Sequence, residues 1–199
     1  MKQALRALQR WLLRRPRGVA MGAGSSVRRP WTITNRRLIS IGSRTRIGLD
    51  VILNPMSRGE SGFPADGRIA IGDDVYIGLH AQIHASRGVR IGDGAVLSDH
   101  VYLNDAAHGF DPQAGLIMAQ PIESRGEVVI GRHVFLGLRS VVFSGVELGD
   151  HCVVGANSVV TRSFPAYSML AGAPARLLKR YDAGQRRWVA VGQDAEARA

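Results

Sequence analysis

The sequence predicts an all-β solenoid of stacked three-sided coils, and three observations predict it. An aliphatic residue recurs every six positions, often followed by Gly: Ile41-Gly42, Ile47-Gly48 and Leu53; Ile71-Gly72, Ile77-Gly78 and Ile83; Ile91-Gly92, Leu97 and Leu103. After a gap come Ile130-Gly131, Leu136-Gly137, Val142, Leu148-Gly149, Val154-Gly155 and Val160. Four residues on from these positions stands a second small or β-branched set: Val51, Val75, Ala81, Ala95, Val101, Val134, Val146 and Cys152. Glycine is abundant, at 24 of 199 residues, against a usual share of about 7%. A six-residue period scatters around a helix of 3.6 residues per turn. It suits short strands joined by tight corners, three to a coil. Coils stacked at about 4.8 Å then line up their inward aliphatic residues as one core.

Residues 1–26 read as a basic extension. Leu5, Leu8 and Leu12 share one face, with Arg6, Arg10 and Arg14 elsewhere, which is a basic amphipathic helix over residues 2–15. Val27, Ile33 and Ile39 form a degenerate first triplet, so the solenoid is expected over residues 27–173. Gly72-Asp73, Gly92-Asp93 and Gly149-Asp150 belong at corners, where Gly permits unusual dihedrals. Ile39, Ile69, Val89 and Val128 each stand two residues before an Ile-Gly pair, which marks extra residues at one corner. Two insertions interrupt the repeat, at 54–68 (NPMSRGESGFPADGR) and 104–127 (NDAAHGFDPQAGLIMAQPIESRGE). Insertions in a repeat protein leave one face and often carry function. Residues 174–199 read as a C-terminal helix and tail that brace the last coil.

Lys and Arg number 26 against 16 acids, a net charge of +10. All of Lys2, Arg6, Arg10, Arg14, Arg15, Arg17, Arg28, Arg29, Arg36, Arg37, Arg44 and Arg46 precede the first acid, Asp50. A basic N-terminus calls for an anionic partner. Zinc-finger spacing and the ribonucleoprotein aromatic motif are absent, so nucleic acid is not expected. The anionic surface of a membrane, met by residues 1–17, is one alternative, and a solvated or trimer-packing helix is the other. No stretch approaches the ~20 apolar residues of a membrane span, and Leu12-Leu13 is too short for a signal-peptide core. Cys152 is the one cysteine, which excludes an intrachain disulfide and fits a reducing cytoplasm. The expected location is therefore cytoplasmic, and peripheral to the inner membrane face if the basic helix meets lipid. Cys152 falls on an inward small position and reads as core.

The hexads, the loop His108-Gly109-Phe110-Asp111 and the segment 128–176 (VVIGRHVFLGLRSVVFSGVELGDHCVVGANSVVTRSFPAYSMLAGAPAR) resemble the hexapeptide-repeat acyltransferases. The resemblance is to the maltose/galactoside acetyltransferase group, and especially to acetyltransferases of bacterial surface polysaccharides. It covers residues 27–180. It implies a left-handed parallel β-helix, the exception to right-handed crossovers. It also implies a homotrimer with sites between adjacent subunits, acetyl-CoA as donor, and a loop histidine as base. No metal is expected.

By that resemblance His108 takes the proton from a saccharide hydroxyl as it attacks the thioester, the usual task of a neutral imidazole. Asp105, Glu123 or Glu127, or a backbone carbonyl, would orient it. Ala156 would meet the pantetheine through its backbone. Thr161, Arg162, Arg176 and Lys179 match positions that contact the pantetheine or the nucleotide phosphates, which suit cations. His84 should stack under Asn104 of the next coil, near the His108 loop, and both are candidate acceptor contacts. His80 stands where the galactoside group tends to carry an acceptor-binding Asn. Phe135 stands where Trp is common beside the reacting groups, and Leu138 where a small polar residue is common. Trp31, Asn35 and Asn54 are further acceptor candidates. His100, His133 and His151 read as outward surface residues.

N-acetylation of an amino sugar would use the same base and donor. A γ-type carbonic anhydrase shares the fold but needs three zinc-binding histidines, and its usual pair of histidines five apart is missing. A non-catalytic trimeric scaffold is the third reading, and the Gly-His loop and basic C-terminal segment argue against it.

Overall fold

The computed structural model describes residues 16–29, 31–57 and 67–191. The amphipathic helix expected over residues 2–15 lies outside them. So does most of the first insertion, whose base is closed by the Gly67 N–H donating to the Met56 carbonyl at 2.8 Å.

Among the described residues the chain visits three sheets in turn. The first runs through Ala20–Met21, Ile39–Ile41, Arg68–Ile71, Gly88–Ile91, Val128–Ile130 and Glu147–Leu148. The second starts with Ser26–Val27, Arg46–Ile47, Tyr76–Ile77, Val96–Leu97, Phe135–Leu136 and Val153–Val154. The third holds Trp31–Ile33, Val51–Pro55, Gln82–Ala85, Tyr102–Asn104, Val141–Phe143 and Val159–Val160. Each strand pairs in parallel with the strand three further along, as hexads wound into three-sided coils require. The register sets like on like: Ile41 on Ile71, Ile47 on Ile77, Leu53 on Ile83. These columns form one continuous buried core. The second inward set is buried with them, Cys152 included, as its hexad position predicts.

The Gly-Asp pairs do more than turn the chain. Asp73 accepts from the Ser43 N–H at 2.7 Å, and Asp93 accepts from the Asp73 N–H at 2.8 Å. Asp150 accepts from the Arg132 N–H at 2.8 Å. Each carboxylate thus satisfies a corner amide of the coil before it. A Cβ on Gly72 would collide with the Asp93 carboxylate, so glycine is required there by close approach. The outward histidines also find their reason at corners. His133, His151 and His80 have φ of 55°, 60° and 56°. His133 and His151 stack at 4.9 Å, His151 and Tyr167 at 5.0 Å, His80 and His100 at 4.8 Å.

Two expectations are corrected. The solenoid begins at Ala20, ahead of Val27, because Ala20–Met21 and Ser26–Val27 already pair with the second coil. The expected C-terminal helix over residues 174–190 is a β-meander. Ser168–Gly172 pairs antiparallel with Ala175–Asp182, which pairs antiparallel with Arg187–Ala190, all three extending the second sheet. The physical reason is visible in the residues. Ala175 and Leu177 are buried with exposed Arg176 between them, a period of two rather than a helical stripe. The turn at Gly172, with φ 104°, sends the chain straight back. Tyr181 and Trp188 then pair across the last two strands, edge to face at 5.5 Å.

Candidate active site

Both insertions leave from the same corner, where the third sheet hands the chain to the first. The second forms a short antiparallel pair, Ala107–His108 against Ile122–Glu123. Gln120 is buried inside this loop and braces it, with Oε1 accepting from the Asp111 N–H at 3.0 Å and Nε2 donating to the Asp111 carbonyl at 2.9 Å. A cleft of about 590 Å³ opens between this loop and the end of the third sheet, where Asn104, His108, Phe110, Glu123, Phe143 and Thr161 meet.

His108 is half-buried. Its Nδ1 is fully covered and has no hydrogen-bond partner. A buried polar atom without a partner is costly, and this side of the ring is shielded from solvent. Nε2 is the nitrogen left to reach a ligand.

Asp105 does not orient His108. Its buried carboxylate is taken up by the preceding coil. Oδ1 accepts from the Ser86 N–H at 2.5 Å, and Oδ2 accepts from the Arg87 and Gly88 N–H groups at 2.7 Å each. Burial pushes its pKa up, and the three N–H bonds pull it back without cancelling the shift. Asp105 therefore clamps the tight turn beneath the second insertion. Of the other carboxylates considered, Glu127 pairs with Arg90 at 3.2 Å and Glu123 lines the cleft.

His84 lies in register with Asn54 on one side and Asn104 on the other, as the hexad arithmetic predicts. Asn104 sits next to Phe143. The last outward positions of the third sheet thus form a row, one residue per coil, leading to the cleft. Hydrogen bonds link much of it. Thr34 Oγ1 donates to Asn54 Oδ1 at 2.6 Å, Asn54 Nδ2 lies 3.3 Å from His84 Nδ1, and Asn104 Nδ2 donates to the Tyr102 hydroxyl at 2.9 Å. The His84 and Tyr102 rings are 5.6 Å apart.

Burial lowers the His84 pKa below the ordinary imidazole value. The native state then holds this proton less tightly than the unfolded chain. Its contribution to stability is full above the ordinary imidazole range and is lost as pH falls through that range toward the lowered value. Melting curves between about pH 7.5 and pH 5 should show this loss. His84→Gln should reduce the slope. An NMR titration midpoint for His84 at or above the ordinary value would contradict it.

The remaining expected residues stand elsewhere on the same chain. Phe135 points out from the second sheet, in one register row with Val153, Met169 and Lys179. Arg176 lies on the same added strand as Lys179, and both are exposed. Ala156 is exposed at the corner between the second and third sheets. Arg162 follows Thr161 and holds its guanidinium over the Phe164 ring at 4.6 Å. His80 lies in the corner turn before the Gln82–Ala85 strand that holds His84, with Nδ1 3.0 Å from the Asp50 carboxylate. The structure therefore gathers His108, Asn104 and Thr161 in one cleft and brings His84 beside them. It leaves His80, Phe135, Ala156, Arg176 and Lys179 outside that cleft. Sequence reasoning missed Phe110, Phe143 and Tyr102. Phe143 was findable, since it follows the inward Val142 as Asn104 follows Leu103.

Among the described residues no three His, Cys, Asp or Glu side chains gather as a metal site, and no helix is long and apolar enough to cross a membrane.

Comparison with known proteins agrees with this architecture. A family model, hexapeptide repeat of succinyl-transferase, matches residues 68–104 and 127–162. The putative lipopolysaccharide biosynthesis O-acetyl transferase WbbJ of Escherichia coli is 30% identical over 168 residues, covering 81% of this chain and 82% of WbbJ. Nodulation protein L of Rhizobium meliloti is 36% identical over 134 residues, covering 66% of this chain and 68% of that protein. A crystal structure of a mutant of AntD, an N-acyltransferase from Bacillus cereus, in complex with dTDP and coenzyme A, superposes with a TM-score of 0.69 at 25% identity, over 81% of this chain and 83% of AntD. On the repeat, the parallel three-sheet fold and the likeness to WbbJ along most of both chains, this chain belongs to the hexapeptide-repeat acyltransferase family.

Proposed function

We propose that this protein transfers an acetyl group directly from acetyl-CoA to a hydroxyl of a saccharide, a surface polysaccharide or its precursor, with His108 as general base. The observation that carries the reading is the half-buried His108 at the cleft, its Nδ1 covered and unpartnered, at the end of a row of hydrogen-bonding side chains. The names of WbbJ and of the coenzyme A complex of AntD support it.

In this reading His108 Nε2 accepts the hydroxyl proton while the oxygen attacks the thioester carbonyl. The C–S bond breaks, and the leaving thiolate takes the proton back from the imidazolium. No covalent acyl-enzyme is required, and buried Cys152 has no part in the chemistry. Asn104 and His84 would hold the acceptor through its hydroxyls, which suits two neighbouring rungs that both offer donors and acceptors. Thr161, Arg162, Arg176, Lys179 and the Ala156 backbone would hold the donor.

Thr161 lines the His108 cleft, whereas Ala156, Arg176, Lys179 and Phe135 lie outside it on the second sheet and its corner. The chain alone does not gather them at one cleft. A ring of copies can, since a head-to-tail interface sets one face of each subunit against a different face of its neighbour. This supports a homotrimer of left-handed coils with a composite site at each interface, to which Phe135 and His80 of the adjacent copy would contribute.

N-acylation of an amino sugar is the second reading, favoured by the likeness to AntD. The two are separated by the product. Acetyl-CoA is offered with a panel of saccharides and amino sugars, free thiol is followed, and the product is treated with mild alkali. An ester that alkali cleaves is expected. A product that survives alkali is an amide and would replace the first reading with the second.

A further inference from the structure

Charge is divided unevenly along the chain. Residues 1–49 hold twelve of the 26 cationic residues and no acid, whereas all 16 acids lie with the other fourteen. The described part of this segment is the N-terminal end of the solenoid. Ala20–Met21, Ser26–Val27 and Trp31–Ile33 are the outermost strands of the three sheets. Arginines ring that end. Arg17 and Arg36 meet at one corner, the Arg36 guanidinium donating to the Arg17 carbonyl at 3.3 Å, with Arg37 beside them. Arg28 and Arg29 follow Val27 at another corner, and Arg46 projects from the second sheet one coil further in. Trp31 sits among them, with the Arg29 and Arg36 guanidinium carbons 5.3 and 5.2 Å from its ring centroid. Arg44 is neutralised by Asp74 at 2.6 Å. Among the described residues no ion pair joins Arg17, Arg28, Arg36, Arg37 or Arg46 to a carboxylate.

Charges on outermost strands also guard a sheet against edge-to-edge pairing. A few would serve that purpose, and it would not require every acid to be excluded from the segment. We propose that this arginine collar docks the solenoid end-on against an anionic lipid bilayer. The shape of the charge distribution favours a bilayer over nucleic acid. A ring around one end presents many charges together to a flat anionic surface. A polynucleotide would call for a stripe or groove. Trp31 is half-buried against the core at this end and carries the Arg29 and Arg36 guanidinium groups over its ring. The collar acts independently of any acetyl transfer, so its test does not depend on that reading.

The full-length protein is sedimented with phosphatidylcholine vesicles, and with vesicles containing about 30% phosphatidylglycerol. Binding is expected to the anionic vesicles alone, and to be lost at about 0.5 M salt. Each arginine near such a surface strengthens binding about five-fold. Replacing Arg28, Arg36, Arg37 and Arg46 by Gln should therefore weaken binding by roughly a hundred-fold or more, while Lys at the same four positions should retain it. A melting curve checks the fold of each variant. Should the quadruple Gln variant unfold, Arg28→Gln with Arg37→Gln, both exposed, is expected to lose about twenty-fold. Equal binding to neutral vesicles, no binding at low salt, undiminished binding by the Gln variants, loss in the Lys variant, or preference for an RNA or duplex DNA probe over anionic vesicles would each overturn the proposal.

Discussion

His108→Ala is expected to lower the turnover of acetyl transfer by about 10²–10⁴-fold, the range ascribed to a positioned general base. It should leave the affinity for acetyl-CoA within about two-fold, because the donor groups named above do not include His108. The expected pattern is thus a loss in kcat with an unchanged KM for the donor. His108→Gln tests the same point with a side chain that still hydrogen-bonds but cannot take the proton, and should be equally inactive. A variant retaining more than about a tenth of the wild-type rate would remove His108 from the chemistry.

Asp105→Ala carries the second large effect, and it falls on stability. The substitution removes the acceptor of three backbone N–H groups at Ser86, Arg87 and Gly88. Two of those residues, Ser86 and Gly88, are themselves buried. Leaving a buried donor unmade costs about 1–3 kcal/mol, so a loss of about 2–6 kcal/mol is expected from these two. In a chain of this size that lowers Tm by about 10 °C. Asp105→Asn should fall between the two, since one oxygen remains while its NH₂ group faces a donor. Were Asp105 the orienting carboxylate of His108, both variants would instead melt like wild type and lose turnover. Calorimetric melting beside a rate measurement separates the two roles.

The fold was legible because its signal is arithmetic. A period of six names the inward residues, and all of the paired columns follow from it, as Ile41 on Ile71 and Leu53 on Ile83 show. The same arithmetic set His84 beneath Asn104 and Cys152 in the core. It failed where the repeat stops. Residues 174–190 carry Leu177, Leu178, Tyr181, Trp188 and Val189, which suit a helix by content. The alternation around Leu177 and the reversal at Gly172 instead put them on the open edge of the second sheet. Coil one was missed in part because Ala20-Met21 departs from the Ile-Gly form. Within the site, the loop around His108 singled it out, and the structure sets it on the cleft; its role as base is the proposal that His108→Ala tests. The role of Asp105 was not legible, because its bonds reach back 17 to 19 residues to a turn that only coil stacking brings near. The cleft wall at Phe110 depends on how the second insertion folds over itself through Gln120, which no periodicity encodes.

The central claim is that this solenoid is built to use acetyl-CoA, and one titration tests it without knowledge of the acceptor. Acetyl-CoA is titrated calorimetrically into the wild type and into His108→Ala. Binding by both on the order of micromolar Kd, about −8 kcal/mol, is the expected result, with His108 left free for the acceptor. Absence of any binding heat from the folded wild type at concentrations up to about a millimolar would contradict the account.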